Sequence, residues 1–118
     1  MKANELRIGN LVKYSDKDLL FTVTEISQAG IGVENEIEET WIELDSFEPI
    51  PLTEEWLLKF GFEKIGVNFH LNNFCIWFKL IHENYWFRYD NQGIEIKYVH
   101  QLQNLFYCLC GEELTLKP

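Results

Sequence analysis

The chain has 118 residues, 47% hydrophobic and 15% aromatic, enough apolar surface to close a core without staples, which excludes disorder for its bulk. Its 19 acidic and 10 basic residues leave a net charge of −9, a balance that disfavours non-specific binding to phosphate backbones and anionic membranes. No apolar run approaches the ~20 residues that span a bilayer, so no membrane partner is expected.

MKANELRIGN has no apolar h-region, so it does not read as a signal peptide and the cytoplasm is the expected location. The three cysteines, an odd number without a secretion signal, are expected to be free thiols. Residues 6–14 (LRIGNLVKY) and 19–26 (LLFTVTEI) read as strands joined by the polar turn Ser15-Asp16-Lys17-Asp18. Gln28-Ala29-Gly30 is a second turn, after which Ile31, Val33 and Ile37 alternate as a third strand would. On such a strand Glu34, Glu36 and Glu38 share the opposite face. The apolar parity changes near Glu39-Thr40, since Ile42 and Leu44 hold even positions, so a turn or bulge is predicted there. Short strands with turns at this spacing predict a small antiparallel barrel of SH3-like type over residues 5–50, with a simple meander as the alternative.

Glu48-Pro49-Ile50-Pro51-Leu52 is a connector, because neither proline can donate to a ladder. Thr53 is the expected N-cap of a short helix with Glu54 and Glu55 in its first turn and Gly61 beyond its end. Strands follow over 67–71, 74–81, 85–90 and 94–97, with turns at Asn72-Asn73, His82-Glu83-Asn84 and Asp90-Asn91-Gln92-Gly93. The strand 74–81 carries Phe74, Ile76, Phe78 and Leu80 on one face and Cys75, Trp77 and Ile81 on the other. Such a strand is central in a covered sheet, or offers its second face to a partner. From Tyr98 to Cys110, apolar residues at 98, 99, 102, 105, 106 and 109 have helical spacing, and Gly111 closes the helix. The predicted fold class is α+β in a single domain, 1–118. A β-rich barrel-like part, 5–50, is followed by 51–118, in which a short helix, antiparallel hairpins and a C-terminal helix pack on it.

The stretch VENEIEETWIELDSFEPIPLTEE, residues 33–55, holds nine carboxylates and no Lys or Arg, so it carries the entire net charge. Glu54 and Glu55 serve the helix start and Glu48 the connector. Glu34, Glu36, Glu38, Glu39, Glu43 and Asp45 remain, and with Trp41 at their centre they form the candidate partner-binding face. Charge complementarity speeds encounter and sets specificity, and an aromatic among the charges is a natural anchor. The competing role for these acids is to keep an edge strand soluble. A second candidate contact surface is the aromatic hairpin with Trp77, Tyr85, Trp86 and Tyr89. Base stacking there needs interleaved cations; Lys79 and Arg88 are the only two, so core packing is the favoured role and direct nucleic-acid binding is not expected.

No motif points to catalysis, a metal or a cofactor. Cys108-x-Cys110 on a helix directs its thiols about 200° apart, which one metal ion cannot bridge. These read as structural thiols, at least one of them buried, and Cys75 as a small core hydrophobe. His70, His82 and His100 have no metal spacing, and Gly30-x-Gly32 lacks the third glycine and helix of a phosphate loop. A binding protein, not an enzyme, is the expectation.

The stretches MKANELRIGNLV, FEPIPLTEEWLLKFGFEK and IEIKYVHQLQNLFY with GEELTLK resemble a group of small phage- and prophage-associated bacterial proteins. The resemblance covers both ends and the middle, whereas 15–45 and 67–90 are individual to this chain. It implies a mobile-element protein acting in a bacterial host. By analogy with other small acidic proteins of such elements, it implies inhibition of a host nuclease or defence effector with a basic channel, as anti-CRISPR proteins do. The alternative is a small-barrel assembly module, including a homo-oligomer through the aromatic hairpin, whose acids only solubilise it. No catalytic residue is implied.

Overall fold

The computed structural model describes residues 5–14, 19–43, 46–89 and 92–117. The chain divides into two compact units, Met1–Ile50 and Pro51–Pro118, each built on one antiparallel sheet. The described residues form ten strands and two helices, an α+β fold.

In the first unit, β1 (Leu11–Tyr14), β2 (Leu20–Ile26), β3 (Gly30–Glu34), β4 (Glu39–Glu43) and β5 (Phe47–Glu48) pair in the order β4-β3-β2-β1-β5. The first four make a meander, and the two-residue β5 returns to the free edge of β1, which curls the sheet into a half-barrel. Alternation drives the inward set. Val12, Phe21, Val23, Ile31, Val33, Ile42 and Phe47 join Leu6 in one buried cluster. A bulge between Val23 and Glu25 breaks the register of β2 against β3.

Two details differ from the strand pattern. The third strand stops at Glu34, and the chain turns over Asn35–Glu38, before the parity change at Glu39-Thr40. Asn35 Oδ1 accepts from the amides of Ile37 and Glu38, both at 2.9 Å, and the Asn35 amide donates to the Glu38 carbonyl. An asparagine that satisfies the turn amides itself overrides the period-2 reading of Ile37, which stands 87% exposed at the hairpin tip. Phe47 and Glu48 are the second, as they pair with Tyr14 and Lys13, so the connector begins at Pro49.

In the second unit, α1 (Glu54–Lys59) starts at Thr53, whose side chain accepts from the Trp56 amide at 3.4 Å, and ends before Gly61 at φ 95°. The sheet runs β10-β9-β8-β7-β6, with β6 (Glu63–Ile65), β7 (Asn68–Leu71), β8 (Phe74–Lys79), β9 (Asn84–Tyr89) and β10 (Gln92–Ile96). The doubly apolar β8 is its middle strand. The edge strand β6 carries no pattern that predicts it, because all three of its residues are exposed. Leu80 and Ile81 leave the sheet for an exposed turn, in which Glu83 adopts φ 52°. The closing helix α2 (Val99–Cys110) ends on Gly111 at φ 72° and buries Val99, Leu102 and Phe106, with His100 and Gln103, on one side. Its start is tied by Gln101 Oε1, which accepts from the amides of Lys97 and Tyr98 at 2.8 and 3.2 Å.

Phe74 is the centre of this core. Its ring meets Phe62 and Phe106 edge-on and stacks on Phe87 at 4.6 Å. Cys108 and Cys110 are both exposed, against the expectation of a buried thiol. The packed stripe of α2 ends at Phe106, and its last turn, including Leu109, lies open.

Candidate functional site

Residues directly opposite in an antiparallel pair share a face. Along β3 and β4, Gly30 faces Glu43, Gly32 faces Trp41 and Glu34 faces Glu39, all on the side away from the buried Ile31, Val33 and Ile42. This face therefore carries Trp41 with Glu39 and Glu43 on one strand, and Glu34 with two glycines on the next. Gly30 makes room for the indole. A Cβ on Gly30 would stand 3.0 Å from Trp41 Nε1 and 2.3 Å from the Ile42 carbonyl oxygen.

The bulge in β2 adds a further acid. Phe21, Val23 and Glu25 have one parity, so simple alternation would turn Glu25 inward. The register shift instead sets Glu25 opposite Gly32, and a Cβ on Gly32 would lie 3.2 Å from its carboxylate. Thr24, Glu25, Gly32, Glu34, Glu39 and Trp41 line a shallow groove of about 450 Å³. Gly32 lies between the Glu25 side and the indole, and the Glu34–Glu39 pair continues the same face. Trp41 is 46% exposed. None of Glu25, Glu34, Glu36, Glu38, Glu39 or Glu43 makes an ion pair with a described Lys or Arg, whereas Lys13–Glu48, Lys59–Glu55, Lys64–Glu54 and Lys97–Glu95 are paired.

The structure thus gathers Glu34, Glu39, Trp41 and Glu43 onto one sheet face and adds Glu25, which no alternation rule would have found. Glu36 and Glu38 do not share a strand face with Glu34. They sit, exposed, in the turn at the end of the same hairpin. Asp45 lies outside the described residues.

The aromatic hairpin divides. Trp77 and Trp86 are directly opposite each other on β8 and β9, on the outer face of the second sheet. Tyr85 has the other parity and lies within the core side, against Phe69 at 5.9 Å and Phe78 at 4.9 Å; burial, then the charge of Glu54, pushes its hydroxyl up. Tyr89 pairs with Gln92 at the end of β9. Neighbouring residues on a strand cannot face the same way, so the four never form one surface.

On the outer face Cys75 Sγ lies 3.9 Å from His70 Nε2. Burial raises the Cys75 thiol, which opposes the thiolate that nucleophilic chemistry needs. His82 is exposed in a turn, and His100 is buried and stacked on Tyr98. Among the described residues, no three His, Cys, Asp or Glu side chains are grouped to hold a metal ion, and no helix is long and apolar enough to cross a membrane.

Compared with protein-family models, curated proteins and solved structures, the chain matches none. The resemblance to phage and prophage proteins therefore rests on its sequence motifs alone.

Proposed function

We propose that this protein is a non-catalytic inhibitor that docks the Trp41 face of its first unit into the basic, nucleic-acid-binding channel of a host nuclease or defence effector. The observation that carries this reading is the half-exposed indole among Glu25, Glu34, Glu39 and Glu43, none of them paired with a described cation. The groove beside Gly32 suits an arginine side chain in particular. A guanidinium stacks on an indole and binds carboxylates in a fork, and carboxylates stand on both sides of Gly32. The mobile-element resemblance supplies the class of partner.

Two arrangements favour a partner over mere solubility. Glu34 and Glu39 are directly opposite, and like charges so placed weaken a strand pair. A large aromatic left 46% exposed on the sheet adds contact area and nothing to solubility. The test is reversal of Glu25, Glu34, Glu39 and Glu43 to Lys, with binding measured against purified nucleic-acid-targeting effectors of the host. The native protein should compete with nucleic acid for an effector with affinity that falls as salt rises, and the reversed protein should lose at least a hundredfold. Affinity and salt dependence unchanged by the reversal would refute the reading.

A further inference from the structure

We infer that the outer face of the second unit's sheet is a binding platform for single-stranded nucleic acid. The inference uses none of the residues of the Trp41 face. Trp77 and Trp86 lie side by side on adjacent central strands, while Phe74 and Phe106 meet on the opposite side, where α2 packs. Paired indoles, each partly exposed, on the side of an antiparallel sheet away from its helix give unstacked bases a surface, and every base has a π-face to lay on them.

Trp86 is held in place before any ligand arrives. Its Nε1 donates to Asn84 Oδ1 at 2.6 Å, and Asn84 Nδ2 in turn donates to Glu95. Its ring lies against Gly93, where a Cβ would come within 3.0 Å of Cε3. Two cations flank the rings, as a sugar-phosphate backbone requires. Lys79 Nζ is 4.4 Å from the Trp86 ring centre and 6.0 Å from that of Trp77. Arg88 is exposed, makes no ion pair with a described residue, and lines a cavity of about 400 Å³ with Asn68, Asn73, Cys75 and Trp77. That volume is within the ~300–1,000 Å³ of small-molecule sites. The two amides supply the donors and acceptors that a base edge needs.

The acidity of the chain as a whole opposes a polyanion, but this face does not share it. Of its described acids, Glu95 is engaged by Asn84 and by Lys97 at 3.9 Å, and Glu63 is on the edge strand. Stacking therefore supplies most of the affinity, and its salt dependence is shallow.

The experiment is fluorescence anisotropy with the full chain and labelled single strands of about twelve nucleotides, oligo(dT) and oligo(U) as separate arms to distinguish DNA from RNA. Binding of at least one arm, with quenching of tryptophan emission and no binding of a duplex, is expected. Trp77→Ala or Trp86→Ala should weaken it between about fivefold and a hundredfold, and Trp77→Phe, which keeps a ring, should stay within about threefold. Arg88→Glu, at an exposed position that the fold does not depend on, should weaken it about tenfold. Trp41→Ala should leave it unchanged, so this inference and the proposed function fail separately. Absence of binding in both arms, or affinity indifferent to Arg88→Glu and Trp77→Ala, overturns the inference. So does a homodimer that these substitutions dissociate, which would assign the face to a second copy of the chain.

Discussion

Trp41 packs beside a neighbour without a side chain, Gly30. A methyl group on Gly30 would enter the Ile42 carbonyl at 2.3 Å, a backbone atom that cannot swing aside. Gly30→Ala is therefore expected to destabilise the first unit by about 1–3 kcal/mol, read as a lower denaturant midpoint at unchanged slope. Asn35→Ala removes the oxygen that holds the amides of Ile37 and Glu38 and should cost about 1 kcal/mol, with faster hydrogen exchange at those two amides. In the second unit, burial raises the Cys75 thiol, whereas Cys108 and Cys110 are exposed. A group whose folded pKa lies above its unfolded value of about 8.5 stabilises the fold fully below that value. The contribution is lost as pH climbs through the folded pKa. Iodoacetamide near neutral pH should thus label Cys108 and Cys110 well before Cys75, by mass spectrometry of the peptides. Equal rates at all three would mean that this sheet face opens on the labelling timescale.

At the scale of the element, the hairpin β3–β4 keeps a pairing that its own stability does not favour. Glu34 and Glu39 are directly opposite, with no described cation between them. Glu39→Lys turns repulsion into attraction across the pair and should stabilise the hairpin by about 0.2–1 kcal/mol, while it weakens the proposed partner complex. A variant more stable and equally tight in binding would assign these acids to solubility alone. In the second unit the amino-acid pattern conveys more. The α1 cap at Thr53, the stop at Gly61, the central place of β8 and the closing of α2 at Gly111 all follow from local chemistry, and the structure has each of them. Glu25 could not be placed that way, because a bulge reverses parity and leaves no residue-type signature here. Nor could β6, whose three residues gain their strand geometry from β7 alone. Tyr85 and Trp86 were separable by alternation, which puts neighbours on opposite faces. The cation pair Lys79 and Arg88 looks scattered in sequence and becomes adjacent to Trp77 and Trp86 only through the β8–β9 register.

For the whole molecule, the charge divides unevenly. The first unit, 1–50, has 11 acids and 4 bases, a net −7, and the second, 51–118, has 8 and 6, a net −2, which together give −9. A polyanion and a basic protein channel are thus offered different surfaces, and ionic strength discriminates between them. A complex made by the Trp41 face depends on several unpaired carboxylates, so a tenfold rise in salt should cost it more than tenfold in affinity. Single strands on the Trp77–Trp86 platform have two cations to meet, which allows at most about 25-fold over the same range. Stacking, which salt does not screen, carries the rest of that affinity, so the oligonucleotide is the less salt-sensitive ligand. Both affinities can be measured on one preparation across one salt series. If the oligonucleotide were the more salt-sensitive ligand, charge would outweigh stacking on the second sheet, and the division of roles between the two faces would be lost.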